Sequence, residues 1–416
     1  MAQVSGIDRA SDDCFSRSTP GVLSYGDRAC PPEETLRRIE PLLPKFGISR
    51  LARLTGLDKV GIPVWSAISP NARSIVINQG KGVTDDDAKV SAAMEAIERA
   101  VACAPPVPAR MATRRALCEN GDRALTLPGL IATGQPDLGD DETIAWLRGF
   151  DLSDRATTWV PLQATTLDRT IEGCRYWQSS DGLASGNSRT EAILHGLLER
   201  IERDAETLWR LLPLGGKLGS CIDPVSFEDP ILDAMVRQID ACGLQLRLFD
   251  MTSDVAIPCY AATLAEAGIL SARQARYHDV TIGHGAHPVA RRAAIRAVTE
   301  AAQSRLTYIS GARDDVFPDT FTRPLSRETQ RLFEAAPQRK APTATNAAGG
   351  PQGLLRFAMR RLEEARIRSV VVVPLVEEGD MPFSVVKVLV PELENPDGSR
   401  KRRFGERALA RALEVG

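Results

Sequence analysis

The sequence predicts a mixed α+β protein in which short strands combine with long helices that each carry polar residues on one face. Two pairs of strand-like runs indicate the sheets: residues 60–68 with 74–80, and Leu244–Asp250 with 257–264. The first pair flanks a turn rich in Ser, Pro and Asn, which is typical of an antiparallel hairpin. Three long amphipathic segments indicate the helices.

Composition excludes several classes of protein. The chain has 416 residues, 43% hydrophobic, with a net charge of −2. This balance is typical of a globular protein of two or three subdomains, and gives no signal for nucleic acid or for an anionic membrane. No apolar run approaches the ~20 residues that span a bilayer. We therefore expect a cytoplasmic protein whose residues 1–24 form a flexible leader. The eight cysteines include no CxxC pair, so a zinc site is not indicated.

The first helix is expected from Pro32 to a stop at Pro44, because prolines suit a first turn and acidic side chains favour its positive end. After the hairpin, a second helix begins at the acidic run 85–87. Ser91, Glu95 and Glu98 lie within about 60° of one face of that helix. It therefore presents two paired carboxylates.

The middle of the chain has weaker patterns. Residues 104–150 are rich in Pro and Gly and are expected to cover the surface, whereas residues 157–165 predict a strand. Residues 173–186 are predicted to form a polar loop that leads into the helix 186–205.

That helix places Asn187, Glu191, Glu199 and Glu202 within an arc of roughly 120°, beside an apolar arc. Like charges so close repel, and the cost rises near a core. Something cationic is therefore expected among these acids. The alternative is a solvated acidic face that Arg200 and Arg203 neutralise.

A third long helix is predicted at 289–309, where Arg296 and Glu300 share a face. A strand at 278–282 and a turn at 283–288 precede it. His284 and His287 in that turn do not by themselves predict a transition-metal site. Beyond a linker or flexible loop at 336–353, a helix and two strands are predicted. They occupy residues 354–367, 369–375 and 384–390.

The sequence contains no P-loop, no GxGxxG after a strand and no GxSxG elbow. Five glutamates on two helices could nevertheless form an oxygen-rich cage for Mg²⁺ and its nucleotide phosphates, with arginine as a phosphate donor. Those glutamates are Glu95, Glu98, Glu191, Glu199 and Glu202. Spacing alone leaves ordinary surface salt bridges as the competing interpretation.

Three separated motifs resemble the YcaO family, ATP-using enzymes that modify peptide backbone amides. They are Ser91-x3-Glu95-x2-Glu98-Arg99, Asn187-x3-Glu191-x7-Glu199-x2-Glu202-Arg203, and Gly283-His-Gly-x-His287 followed by Arg296-x2-Thr299-Glu300-x2-Gln303-x-Arg305. The resemblance implies a YcaO-type fold of mixed, largely antiparallel sheets, with the nucleotide between long helices. It makes residues 25–335 the catalytic core and 354–416 an α/β segment that completes the domain.

The resemblance also implies roles for individual residues, with ATP and Mg²⁺ as cofactors. The five glutamates would bind Mg²⁺ or lie close behind the residues that do. Glu191, Glu202 and Arg296 are the residues expected to be catalytic. The expected ATP-binding residues are Arg28, Thr35, Ser91, Glu95, Ala184, Asn187, Glu191, Arg203 and Arg296.

Segments 50–65 and 385–391 resemble YcaO proteins that work with a TfuA partner and are associated with thioamide formation. The resemblance implies that ATP phosphorylates the oxygen of an amide, that sulfur delivered by a TfuA-like protein replaces it, and that the enzyme is a homodimer. The target would be a ribosomally made precursor peptide or a housekeeping protein, for example a ribosomal protein. The alternatives are an azoline-forming cyclodehydratase, whose usual PxPxP tail the chain lacks, and a non-catalytic nucleotide-binding scaffold.

Overall fold

The computed structural model describes residues 28–271, 274–342, 347–377, 379–395 and 398–415. The predicted leader, 1–24, lies outside the described residues, as does part of the predicted linker. The domain boundaries therefore stay predictions. No helix in the described ranges combines the length and the apolar character needed to cross a membrane.

The strands of the described residues form three sheets. They are β1 (Arg50–Arg53), β2 (Val64–Ile68), β3 (Ile77–Lys81), β4 (Arg110–Ala112), β5 (Arg123–Ala124), β6 (Ile144–Asp151), β7 (Ala156–Pro161), β8 (Leu183–Gly186), β9 (Cys221–Ile222), β10 (Leu244–Asp250), β11 (Cys259–Glu266), β12 (Thr281–Ala286), β13 (Val371–Pro374) and β14 (Ser384–Leu389). Strands β1–β3 form a three-stranded sheet in that order, and β12-β11-β10-β9 is the order of a four-stranded sheet. A seven-stranded sheet has the order β5-β7-β6-β13-β14-β8, with β4 paired to β6. Every pairing of these strands but β5 with β7 is antiparallel. The predicted α+β class with largely antiparallel sheets is confirmed.

Three long helices pack on these sheets. The helices are α1 (Pro32–Ile39), α2 (Asp85–Cys103), α3 (Arg114–Glu119), α4 (Arg189–Arg210), α5 (Leu214–Gly219), α6 (Pro230–Ala241), α7 (Ala290–Ser310), α8 (Arg327–Phe333), α9 (Gly350–Glu364) and α10 (Glu406–Val415). The three long ones are α2, α4 and α7. The predicted helices at 85, 186–205 and 289–309 correspond to α2, α4 and α7. A capping box begins α2, because Thr84 and Asp87 bond to each other's backbone N–H groups.

Two expectations for the middle of the chain were wrong. Residues 104–150 do not merely cover the surface, because β6 lies inside the seven-stranded sheet and buries Trp146 and Leu147 completely. The predicted loop 173–186 ends in β8, a fully buried edge strand that pairs with β14. A strand buried on both faces lacks the apolar–polar alternation that identifies strands in a sequence.

The predicted turn at 283–288 was also wrong, since its first four residues, 283–286, belong to β12. Gly283 and Gly285 are needed there because α7 lies almost in contact with the strand. A Cβ on Gly283 would lie 2.1 Å from the Ala301 nitrogen, and one on Gly285 would lie 2.2 Å from the Ala293 oxygen. Glycine in this strand permits a close approach of two backbones and does not mark a turn.

The first helix is shorter than predicted. It ends as an α-helix at Ile39 and continues as a 3₁₀ helix, Glu40–Phe46, which contains Pro44. Pro41 has no N–H for an α-helical hydrogen bond, so the tighter helix follows directly.

Helix α4 lies between the two larger sheets. One buried apolar cluster contains Leu197 and Leu198 of α4, Phe249 of the four-stranded sheet, and Val386 and Val388 of the seven-stranded sheet. Helix α2 contacts β3 and β8, and α7 contacts β12 and β3. The polar edges of the three long helices are thereby brought toward the same region.

Candidate functional site

The first turn of α4 carries a buried carboxylate that two chain segments hold. Ser188 caps the helix, so Asn187 precedes it and the prediction that Asn187 lies within the helix was wrong. The fully buried Glu191 accepts hydrogen bonds from the Arg28 guanidinium at 2.9 Å and from the Ala29 N–H at 3.0 Å. The start of the described chain is thus tied to the start of α4.

Asn187 extends this group. Its amide nitrogen lies 3.4 Å from both Glu191 carboxylate oxygens, and its oxygen accepts a hydrogen bond from the Thr35 hydroxyl at 2.9 Å. The Arg28 side chain is 52% exposed. The four predicted residues Arg28, Thr35, Asn187 and Glu191 therefore form one connected group that presents an accessible guanidinium.

Two further carboxylates face the backbone of β8 and the loop before it. Glu98 of α2 accepts hydrogen bonds from the Ser185 N–H at 2.8 Å and from its hydroxyl at 2.5 Å. Glu199 of α4 accepts one from the Gly182 N–H at 3.0 Å. Burial, reinforced by the charges of Glu95 and Glu199, raises the pKa of Glu98 to about 8. Burial also raises the pKa of Glu199 to about 7. These carboxylates lack sufficient compensating positive charge.

Arg203 is the principal cation among these acids. Its guanidinium lies 3.5 Å from Asp181, 3.7 Å from Glu199 and 3.4 Å from Glu206. Arg200 instead donates to Asn395 and to two backbone carbonyls of the C-terminal segment. The alternative prediction was that Arg200 and Arg203 both neutralise the acids of α4. Arg203 contacts those acids, whereas the hydrogen bonds of Arg200 go to the C-terminal segment.

A second acidic pair joins α4 to α7. Burial, followed by the charge of Glu300, raises the pKa of Glu202, while Arg203, Arg296 and His284 oppose the shift. Burial acts to raise the pKa of Glu300 as well. The charges of Lys81, which contacts its carboxylate, and of His284 nevertheless hold that pKa down at about 2. Arg296 is thus close enough to Glu202 to lower the pKa of its carboxyl.

Four of the five predicted glutamates form one series, the acidic series, in which the charge of one raises the pKa of the next. The charges of Glu95 and Glu199 raise the pKa of Glu98, and the charge of Glu202 raises the pKa of Glu199. Glu191 stays apart and pairs with Arg28.

The other two predicted residues lie on α2 and on β8, whose Ser185 donates to Glu98. Ser91 lies one turn before Glu95 on α2, where the helix backbone lies against Gly80 of β3. Ala184 precedes Ser185 on β8 and pairs with Val386.

The donor set fits Mg²⁺ with a nucleotide. Within the described ranges, no three His, Cys, Asp or Glu side chains converge in an arrangement that could hold a metal ion. Mg²⁺ usually binds one or two carboxylates together with water and substrate phosphates, so a complete protein cage is not required. Buried carboxyls with raised pKa values are hard oxygen ligands that a divalent cation would stabilise in their charged form.

The sequence reasoning missed several charged residues that border the site. Lys81 has no role in the sequence-based predictions, yet it pairs with Glu300. Asp181 lies in a loop read only as polar, and it contacts Arg203. Lys387 is 4% exposed in the strand SVVKVL, where a lysine among apolar residues was the available signal.

A family model described as YcaO cyclodehydratase, ATP- and Mg²⁺-binding, matches residues 79–394, more than half of the chain. The chain belongs to the YcaO family. Membership in this family of ATP-dependent, peptide-modifying enzymes confirms the resemblance, and the description agrees with the predicted cofactors. An uncharacterized protein encoded in the tfuA 3′ region of Rhizobium leguminosarum bv. trifolii is 38% identical over 424 residues, covering 98% of each chain.

Solved YcaO structures share the fold. The YcaO protein of Methanopyrus kandleri, bound with AMPPCP and Mg²⁺, aligns with a TM-score of 0.67 and 24% identity, covering 88% of this chain and 92% of that one. A heterocyclase in complex with substrate and cofactor aligns with a TM-score of 0.70 and 22% identity. That alignment covers 89% of this YcaO chain and 53% of the heterocyclase.

Proposed function

We propose that this YcaO protein uses ATP to phosphorylate the oxygen of a peptide backbone amide and then completes its exchange for sulfur, giving a thioamide. The partly buried series of carboxylates on α2 and α4, with too few cations, supports Mg²⁺–ATP binding. The observation that carries the choice of thioamide is the relative from the tfuA 3′ region, which matches nearly the whole chain. A TfuA-like protein is the proposed sulfur-delivering partner.

Within this proposal, Glu95, Glu98, Glu191, Glu199 and Glu202 would bind Mg²⁺ or lie close behind the residues that do, and the ion would neutralise phosphate charge. Arg28 would contact phosphate, and the half-exposed guanidinium that Glu191 holds supports this role. We assign Thr35, Ser91, Ala184 and Asn187 to nucleotide contacts, together with Arg203 and Arg296.

The reaction balances as a sulfur-for-oxygen exchange. A sulfide donor forms a C–S bond at the amide carbon, and the carbonyl oxygen becomes an oxyanion. That oxygen takes the γ-phosphoryl group of ATP, releasing ADP. The C–O bond then breaks, phosphate leaves, and loss of the sulfur proton gives the C=S bond. Arg203 and Arg296 would stabilise the negative charge that develops on the transferring group.

A cyclodehydratase is the second candidate, and the description of the matching family favours it. It would use the same ATP site, with a Ser, Thr or Cys side chain of the peptide as the nucleophile. A non-catalytic scaffold would bind nucleotide without turnover. We also propose that the protein is a cytoplasmic homodimer, which light scattering and cell fractionation test.

Mass spectrometry of the target after incubation with ATP, Mg²⁺, sulfide and the partner separates the three functions. Thioamidation adds the mass difference between sulfur and oxygen, and we expect this result. Loss of one water per site would identify a cyclodehydratase. An unchanged target with bound nucleotide would leave only the scaffold.

Replacement of Glu202 by Gln tests the site itself. We expect Mg²⁺-dependent ATP consumption to fall by at least about 100-fold, because phosphoryl transfer depends on charge stabilisation. Glu363→Gln on the exposed face of α9 is the matched control and should retain full activity. Retained activity in both E202Q and E191Q would contradict the assignment of these glutamates.

A further inference from the structure

Lys387 is a buried cation that the assignments above leave without a role. It lies within β14, and only 4% of the residue is exposed. Its ammonium group donates a hydrogen bond to the Ser179 carbonyl at 2.5 Å. Asp181 and Glu199 are its acidic neighbours, although burial outweighs them and lowers the pKa of Lys387 to about 8. Buried ionic groups are not in general needed for stability, because apolar residues often replace them without loss.

The Ser179 carbonyl belongs to the loop 179–182, which joins β14 to the acidic series. The Val388 N–H donates to the Gly182 carbonyl at 2.7 Å, and the Asp181 N–H donates to the Ser179 hydroxyl at 3.0 Å. Gly182 has a φ of +74°, and a Cβ there would lie 2.2 Å from the Val388 oxygen. The loop is therefore held against β14 at both of its ends, Ser179 and Gly182.

The same loop makes two contacts with residues of the site. The Gly182 N–H donates to Glu199, and the Asp181 carboxylate lies 3.5 Å from the Arg203 guanidinium. Glu199 and Arg203 lie one turn apart on α4, so the loop contacts the polar edge of that helix at two neighbouring points.

We propose that Lys387 is a positioning residue that fixes loop 179–182 against β14 and thereby orients the Glu199 carboxylate and the Arg203 guanidinium in the Mg²⁺–ATP site. The part of this inference that concerns Mg²⁺ rests on the proposed function. The part that concerns the loop does not. Partners that orient a metal-binding side chain without touching the metal are worth about 10- to 100-fold in metal affinity.

The test compares the full-length protein with Lys387→Met, which removes the donor and keeps the length. In the nucleotide-free protein we expect faster amide hydrogen exchange confined to residues 179–183. In ATP turnover we expect the Mg²⁺ concentration for half-maximal rate to rise by about 10-fold, with a smaller change in the rate at saturating Mg²⁺. Lys387→Arg retains a donor and should restore both properties toward wild type.

Lys401→Met is the control, since Lys401 is 44% exposed and pairs only with Asp137 among the described residues. Unchanged exchange at 179–183 in K387M would overturn the proposal. An unchanged Mg²⁺ requirement with a lower melting temperature would likewise overturn it, because a merely structural lysine gives that result. If K387M does not fold, K387Q is measured in the same way, because its shorter uncharged side chain cannot reach Ser179. Absence of Mg²⁺-dependent ATP turnover in the wild type would reject the proposed function, and hydrogen exchange would still decide the role of Lys387.

Discussion

At the scale of single residues, the distinguishing feature of the site is the raised pKa of two partly buried glutamates. Burial raises the pKa of Glu98 to about 8 and that of Glu199 to about 7, against a usual value near 4.5. The folded protein therefore binds protons at neutral pH that the unfolded chain would release. A divalent cation at these carboxyls would displace those protons.

This linkage predicts the pH dependence of stability without Mg²⁺. The folded pKa of Glu98 exceeds its unfolded value, so its contribution is fully present below about pH 4.5 and is lost as the pH rises to about 8. We expect the free energy of unfolding to fall over this window by up to about 1.4 kcal/mol per pH unit for each such proton. Urea unfolding from pH 5 to 9 measures it.

Glu98→Gln removes one of the groups that bind a proton in the folded protein and release it on unfolding. The variant should show a flatter pH dependence than wild type, because an amide does not titrate. Added Mg²⁺ and ATP should stabilise the wild type most at the alkaline end of the range. Equal pH slopes in wild type and E98Q would contradict the raised pKa.

At the scale of elements, the close approach of β12 to α7 determines where Arg296 lies. The chain achieves it with two glycines, and a Cβ on Gly285 would lie 2.8 Å from the Cβ of Arg296 as well as 2.2 Å from the Ala293 oxygen. Both neighbours belong to α7, so a side chain at position 285 can be accommodated only if the whole helix moves away from β12.

Gly285→Ala is therefore expected to destabilise the fold by about 3 kcal/mol or more, since inserted atoms in a packed region force backbone shifts. Gly139→Ala is the matched control, because Gly139 has open space around its Cα and no positive φ. Urea unfolding of both variants measures the difference. Similar stability of the two would contradict the tight packing of β12 on α7.

Element prediction from the sequence succeeded where local patterns decide the structure. The β10–β11 pair and the long helices have clear periodicity and, at α2, a capping Thr84. Strand β6 was missed because it buries the neighbouring residues Trp146 and Leu147, which point to opposite faces, so its pattern does not alternate. Residues 283–286 of β12 were missed because their glycines permit close packing on α7. Such a close approach of two backbones leaves no periodic signal in the sequence.

At the scale of the whole molecule, the C-terminal helix α10 is anchored to α4 by ionic contacts. Arg407 donates to Asp204 at 2.8 and 3.0 Å and to Asp254 at 2.6 and 3.0 Å. Asp204 is completely buried and follows Arg203 of the site. The anchor therefore joins the end of the chain to the helix that carries most of the acids.

Arg407→Ala should destabilise the protein by about 3–5 kcal/mol, because it leaves the buried Asp204 carboxylate without its cation. Arg411→Ala, on the same helix, breaks only an exposed pair with Glu414 and should cost less than about 1 kcal/mol. Thermal unfolding compares the two. A similar small loss in both variants would show that Asp204 does not depend on Arg407.

The sequence motifs identified the acids of the site but could not order them in space. Glu95, Glu98, Glu199 and Glu202 affect one another electrostatically, whereas Glu191 pairs with Arg28 across a separation of 163 residues. Lys81, Asp181 and Lys387 reach the site from three different segments, and no spacing rule joins residues so far apart. Their placement depends on sheet pairing that only the three-dimensional structure gives.

The pairing of β8 with β14 has a consequence for protein synthesis. It joins residues 183–186 to residues 384–387, so at typical ribosome speeds β8 emerges roughly 10–40 s before its partner strand. During that interval the edge of β8 that β14 will cover has no partner from this sheet, and unpaired strand edges can associate with other chains. The backbone that holds Glu98 and Glu199 is completed only when synthesis has passed residue 389, so the nascent chain has no assembled site for most of its time on the ribosome.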